Sequence, residues 1–556
     1  MFLQTPPQLG NQYDDDAFLR SYLKRRLPAG MLREIEASLR HLGELAVTDI
    51  WQAGLDAETH EPVHVPYDPW GRRIDDIVTA PGWKTLDRIA AEEGIVATAY
   101  ERKHGEFSRL HQFVRLYLYH PSSAIYSCPL AMTDGAARAI ELYGDENLKR
   151  TTYQRLVTRD PRQFWTSGQW MTEREGGSDV GNSSTVAKVK DGKFLLHGGK
   201  FFTSAITSQI AMTLARIEGA PEGSRGLSFF YLETRLPDGR PNGFQINRLK
   251  DKLGTRALPT AELDLTGTPA VLMGGDGHGV KKISSLFNIT RIYNAVCAVG
   301  YLRRGLALVK DYSGKRAAFG KLLQDLPLHA ETVADLETDY QAMFLLTFYL
   351  ADVLGKDELG VATPEEGALL RMLTPIAKLY TAKVTIAAIS EVLECFGGAG
   401  YMEDTQIPKL LRDAQTLSIW EGTTNVLSLD ILRPIQKDGA FAPFLREIRK
   451  RLDAMGVPEL DAAVAKTRAA ADALEAYLPV AMGEGMAYIE AGARAFAFAC
   501  ARTFTAALLL EHAQWSLATE QDRRTVVAAK RWCKQDLAPL KHLTDGERAD
   551  ARALAR

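Results

Sequence analysis

The chain has 556 residues, 46% of them hydrophobic, enough to bury large cores in more than one domain. A formal net charge of -2 and an isoelectric point near 6.6 exclude capture of a polyanion by bulk charge and leave only local basic patches for such a partner. The five cysteines, Cys128, Cys297, Cys395, Cys500 and Cys533, have neither zinc-site nor redox-pair spacing, which predicts a reducing, cytoplasmic setting.

In chain order, MFLQTPPQLGNQYDDD lacks the apolar run of a signal peptide. From about Asp16 to Thr158 apolar residues recur at helical spacing, interrupted by the turn-rich HEPVHVPYDPWGRR, which predicts an N-terminal helical domain over 1–165. Near Gln169 the texture changes. STVAKVKDGKFLLHG reads as two strands joined by Asp191-Gly192, and IAMTLARI, LSFFYLE, GFQINRL and TAELDL follow between turn residues. A middle, mostly antiparallel β domain over 166–280 is expected. Gly275-Asp-Gly-His-Gly279 lacks dinucleotide-loop spacing and reads as a turn.

Helical periodicity returns from Lys281 to about Pro434 in long segments that pack as a bundle, 281–436. An alanine-rich helical extension occupies 437–556. Its most apolar stretch, AFAFACARTFTAALLL from Ala495, carries Arg502 and is short for a membrane span, so a buried helix is expected. The class is α+β, multi-domain. The eleven histidines show no HExxH and no grouping with cysteine, so no metal site is expected.

Five stretches carry chemistry beyond what punctuation requires. In Met171-Thr-Glu-Arg-Glu-Gly-Gly-Ser-Asp-Val180, adjacent glycines admit a ligand to the backbone, and Thr172 and Ser178 offer hydroxyls; a plain loop is equally compatible. Gly199-Lys-Phe-Phe-Thr-Ser204 could stack on a planar cofactor or be an ordinary strand end. Gly314-Lys-Arg-Ala-Ala-Phe-Gly-Lys321 holds Arg316, suited to phosphate, though a helix-end charge cluster is commoner. Phe396-Gly-Gly-Ala-Gly-Tyr401 closes a long helix as a C-cap would. Ser418-Ile-Trp-Glu-Gly-Thr-Thr424 places Glu421 between an indole and a glycine, and its plainer reading is helix capping by Thr423 or Thr424 with an acid near the first turn.

Taken together and in register from about Tyr67 to Arg433, MTEREGGSDV, GGKFFTSA, LKDKLGTRALPTAEL, GKRAAFGKLL, FGGAGY and IPKLLRDAQTLSIWEGTTN resemble the acyl-CoA dehydrogenase superfamily. Arg174 where relatives carry proline, YDPWGRRIDDI, ITR at Thr290-Arg291 and the C-terminal extension resemble the AidB-like branch, named for a bacterial alkylation-damage-response flavoprotein.

The resemblance implies N-terminal helical, middle β and bundle domains, bound FAD, and a homotetramer built as a dimer of dimers. It implies cofactor contacts from Met171, Thr172, Gly177, Ser178, Phe202 and Ser204. Arg316, Phe319, Gly397 and Gly398 would reach the FAD of a neighbouring subunit, with Thr423 and Asn425 completing the set. Phe202 stands where many relatives have tryptophan. Ser178, Asn288, Arg291, Trp420, Gly422 and Arg433 fall at substrate-side positions, Asn288 replacing an aspartate of the family and Leu328-His329 a glutamine.

By the same resemblance, Glu421 is the base that removes the pro-α proton of an acyl-CoA thioester while flavin accepts the β-hydride. An apolar wall at Trp420, close-packed Gly422 and a bound acyl chain would desolvate that carboxylate and raise its pKa. The thioester carbonyl would be polarised by a backbone N–H of this segment and a flavin ribose hydroxyl.

The leading expectation is an FAD-dependent dehydrogenase of medium or long acyl-CoA, with electron-transfer flavoprotein or another acceptor as partner. A second is a nucleic-acid-associated flavoprotein using Arg449-Lys450-Arg451 and Arg523-Arg524. Against it, residues 441 onward hold 17 Lys/Arg and 15 Asp/Glu, so no strong electrostatic footprint forms. A third is an acyl-CoA-binding protein with little turnover.

Overall fold

A computed structural model describes residues 3–556. The chain divides into two compact units, one comprising Ser38–Lys103 and His111–Tyr293, the other the N-terminal stretch to Ala37, His104–Leu110 and Asn294–Arg556.

In the first unit the stretch read as a helix breaker is itself structured. Val63–Tyr67 (β1) and Arg73–Val78 (β2) pair antiparallel. Asp68 makes the turn by accepting from the backbone N–H groups of Trp70 and Arg72 at 2.9 Å each, the Asx geometry that favours aspartate in turns. The period-2 alternation was masked because Pro66 and Pro69 punctuate it.

The remaining strands are Ser167–Trp170 (β3), Val186–Lys190 (β4), Lys193–Ser204 (β5), Ile210–Ile217 (β6), Leu227–Glu233 (β7), Phe244–Leu249 (β8) and Thr260–Met273 (β9). Pairing runs β6–β4–β5–β9–β7 and returns from β7 to β6, closing the ladder, with β3 beside β6 and β8 beside β9. Closure removes most exposed edges. Antiparallel pairing dominates as expected, but β3 and β4 both run parallel to β6. The β4–β5 hairpin turns at Asp191 (φ 50°) and Gly192 (φ 73°), the pair of positive angles a two-residue hairpin requires.

One sheet face encloses Trp170, Leu196, Phe230, Phe244 and Ile246. Another carries Met212, Leu214 and Phe229 against the alanine-rich Ser127–Tyr143 helix and Leu286.

The second unit is helical. Pro327–Glu358 and Pro364–Cys395 pack together, the latter opened by a Thr363/Glu366 capping box with Pro364 at its first position, the signature of a helix start. Gly314–Lys321, read as a basic turn, takes part in a minimal hairpin of Ala317–Ala318 (β10) and Lys321–Leu322 (β11). Met486–Glu520 spans 35 residues and is, by length and composition, apolar enough to cross a membrane; 78% of its most apolar window is buried in the protein. Its Arg502 donates to the Tyr380 hydroxyl at 3.1 Å and the Asp536 carbonyl at 2.9 Å, so the charge inside this apolar run is accommodated by polar partners.

Candidate active site

In the β unit, the loop after β3 is shaped around a buried carboxylate that the sequence reading did not single out. Glu173, 3% exposed, accepts from Lys200 Nζ at 2.6 Å, Thr185 Oγ1 at 2.6 Å, the Ser184 backbone N–H at 2.6 Å and the Ser183 hydroxyl. Burial by itself would raise its pKa, but the Lys200 charge and these donors overrule it and hold the carboxyl down to about 2. Lys200 is pushed below its ordinary value by burial, against the opposing pull of Glu173.

This ion pair joins the Met171–Val180 loop to β5, and the Phe201 N–H adds a 2.9 Å bond to the Thr172 carbonyl. Both motifs are thereby held in one place. Met171 is buried, Thr172 and Ser204 are half-buried, and Gly177, Ser178 and Phe202 are exposed. A Cβ on Gly177 would stand 2.8 Å from Thr172 Oγ1, so glycine is needed for the hydroxyl to keep its position. Ser204 Oγ lies 3.1 Å from Thr260 Oγ1. Lys250, paired with Glu262 at 2.6 Å, sits 3.2 Å from the Phe201 ring centroid and 4.4 Å from that of Phe202, a cation–π arrangement that fixes the exposed ring. Asn288 and Arg291, both half-buried, lie one turn apart on the Gly279–Ser313 helix.

In the helical unit, the Ile407–Thr416 helix runs out through Ile419 and Trp420, whose N–H groups both return to the Thr416 carbonyl at 2.9 and 3.2 Å. The backbone then reverses at Glu421, φ 55°, and Gly422, φ 103°. A non-glycine residue in the left-handed region costs on the order of 1–3 kcal/mol and persists where its surroundings impose it. Gly422 admits no side chain, since a Cβ would lie 2.8 Å from Leu427 Cδ2.

Two contacts impose the turn. Lys378 Nζ donates to the Gly422 carbonyl at 2.6 Å, and the Trp420 indole N–H donates to Asn294 Oδ1. The plain capping reading fails here: Thr423 occupies the N-cap of Thr424–Asp430 without a side-chain capping bond, and no acid lies in that first turn. Glu421 precedes the cap. Glu421, Trp420 and Gly422 are half-buried, while Thr423, Asn425 and Arg433 are exposed.

Elsewhere in this unit Phe319 stands 96% exposed at the β10–β11 tip, and Arg316 donates to Gln4 Oε1 at 3.1 Å. Gly397 and Gly398 open the 3-10 turn Gly397–Tyr401 with free space beside their Cα atoms. The basic clusters of the extension are engaged internally: Arg449 with Asp472 and Glu475, Arg451 with Glu447, Arg523 with Glu459, and Arg524 with Asp522.

Sequence reasoning missed Glu173, Lys200, Lys378 and Asn294 as site-shaping residues. Glu173 lies inside the Met171–Val180 motif, but Arg174 and Glu175 stand between it and the glycines and are equally charged, so nothing local singled it out. Lys378 and Asn294 sit in apolar helical runs, 44 and 126 residues from their partners, where nothing local marks them.

Four family profiles match the chain: Adaptive response protein AidB N-terminal domain over residues 4–160; Acyl-CoA dehydrogenase, middle domain over 168–268; Acyl-CoA dehydrogenase, C-terminal domain over 277–436; and Acyl-CoA dehydrogenase 11 C-terminal domain-like over 439–555. Acyl-CoA dehydrogenase family member 11 of Caenorhabditis elegans is 42% identical over 559 residues, covering 97% of this chain and 90% of that protein. AidB of Escherichia coli K12 is 29% identical over 413 residues, covering 73% and 74%. Among solved structures, Caenorhabditis elegans ACDH-11 in complex with C11-CoA superimposes with a TM-score of 0.95 at 41% identity, covering 99% of this chain and 95% of that one. The Bd2924 apo form gives 0.86 at 53% identity, covering 92% and 100%.

Proposed function

Because the chain belongs to the acyl-CoA dehydrogenase family, oxidoreductases acting on CH–CH bonds, in its AidB-like branch, we propose that it dehydrogenates a medium- or long-chain acyl-CoA at the α,β-bond with Glu421 as base and FAD as cofactor. The observation that carries this reading is the Glu421 turn: a carboxylate in a left-handed backbone, between the Trp420 indole and a glycine that admits no side chain. A relative matching nearly the whole chain binds C11-CoA, which supports the chain-length class.

The residues present fit FAD. Thr172 offers a half-buried hydroxyl beside a bare glycine backbone, Phe202 an exposed ring, and Gly397 and Gly398 an open turn. Phe319, exposed at its hairpin tip, and neighbouring Arg316 suit contact with a cofactor held by another subunit, which supports a homotetramer. Bound FAD supplies the acceptor for the β-hydride.

Glu421 takes the α-proton on a carboxylate oxygen, and the turn fixes the direction from which it does so. Peptide N–H groups of this turn polarise the thioester carbonyl, without which the α-hydrogen is too weakly acidic. Trp420 walls the acyl chain, and Arg291 and Arg433 serve the nucleotide end. Electron-transfer flavoprotein is the acceptor class we assign, in the cytoplasm.

Anaerobic titration with acyl-CoAs of increasing length, followed by flavin absorbance, tests the proposal. Bleaching over one range of lengths is expected, and Glu421→Gln keeps its flavin but loses bleaching by at least about 1,000-fold. Unimpaired bleaching in that variant would remove Glu421 as the base, and an oxidised flavin with every chain would remove the reaction.

A further inference from the structure

We infer that Lys378 and Asn294 are positioning residues that clamp the Glu421 turn from two helices and so set the aim of the base; this rests on the assignment of Glu421 above. Lys378 lies in the middle of the Pro364–Cys395 helix with no exposed surface. An ammonium group in such a place is costly unless its donors are used, so where they go is informative. One donor goes to the carbonyl of Gly422, at 2.6 Å, a charge-assisted bond to the residue directly after Glu421.

The residue directly before Glu421 is held as well. Asn294, 2% exposed on the Gly279–Ser313 helix, receives the Trp420 indole N–H. Glu421 therefore sits between two anchored neighbours, and its φ of 55° is the angle a glutamate does not hold unaided.

The consequence is geometric. With both flanking residues fixed, the Cα–Cβ vector of Glu421 is fixed, and the carboxylate reaches one point. Proton abstraction is sensitive to such placement: a displacement of about 1 Å costs on the order of 100-fold in rate. The clamp therefore acts on the chemical step, through the aim of the base and of the peptide N–H groups that polarise the thioester, more than on affinity.

The test isolates the base from the flavin. In 3,3-dimethylbutyryl-CoA the β-carbon carries no hydrogen, so no hydride can leave; the α C–H bond breaks, Glu421 takes the proton, and in D2O a deuteron returns to the same carbon. Mass spectrometry of the recovered thioester reads exchange per bound flavin. Glu421→Gln should show none, and wild-type exchange there would sink the assignment of the base rather than the clamp.

Lys378→Met, close in volume and lacking the donor, should exchange roughly 100-fold more slowly, with a far smaller loss of acyl-CoA affinity. Exchange at the wild-type rate overturns the clamp, and so does a slowed rate matched by an equal loss of affinity. Should Lys378→Met not accumulate as flavoprotein, Asn294→Leu decides. It removes the acceptor of the Trp420 indole N–H at similar volume and leaves Trp420 in place; it should slow exchange several-fold, and a wild-type rate overturns the clamp by itself.

Discussion

Lys200 in the β unit and Lys378 in the helical unit are both almost without exposed surface, both lie beside a glutamate–glycine loop, and only the second is bonded to the peptide that follows its glutamate. Lys200 binds the Glu173 carboxylate at 2.6 Å and, with the surrounding hydroxyls, holds its pKa near 2. That acid is an anchor and has no capacity to take a proton at neutral pH. Lys378 donates to the Gly422 carbonyl at 2.6 Å and so engages the backbone directly after Glu421. In the first loop the lysine grips the acid's side chain, and in the second it grips the peptide next to the acid.

The comparison breaks first at Glu173. Glu173→Ala leaves the Lys200 charge buried and uncompensated, which should lower stability by about 3–5 kcal/mol, measured by thermal or denaturant unfolding. Replacing both partners with apolar residues of similar size should restore most of that loss. If Glu173→Ala unfolds at the wild-type midpoint, the pair is not the anchor of its loop.

A pH series follows from the same pair. Glu173 has a folded pKa lowered from 4.5 to about 2, so its stabilisation is complete above about pH 4.5 and lost as pH falls towards 2. Stability measured against pH should fall less steeply over that window in Glu173→Gln than in the natural chain. Equal slopes would assign the acid transition to other groups.

Gly422→Ala probes the other loop. A side chain at φ 103° and 2.8 Å from Leu427 Cδ2 should cost on the order of 1–3 kcal/mol, with flavin reduction impaired beyond what unfolding explains. The smallest effect belongs to exposed pairs. Arg523 and Arg524, with side chains 60% and 71% exposed and already paired, should give no measurable shift in unfolding when both are changed to alanine. A salt-dependent DNA complex that vanishes in that double variant would reinstate a nucleic-acid role for the extension.

The sequence alone settled what depends on neighbours in the chain. Helical periodicity and the Asp191-Gly192 hairpin are local patterns and could be read directly. So could the ordered motifs that mark the family. HEPVHVPYDPWGRR does interrupt the helices, but the hairpin it enters was missed because Pro66 and Pro69 obscure strands whose pairing requires β2 to be present.

What only the tertiary structure decided are the contacts made across long stretches of chain: Glu173 with Lys200, Lys378 with Gly422, and Trp420 with Asn294. Each is a buried polar group choosing its partner after desolvation, and a linear pattern carries no record of that choice. The reversal of the backbone at Glu421 belongs with them, because a strained angle is held by the packing around it rather than by the residue that adopts it.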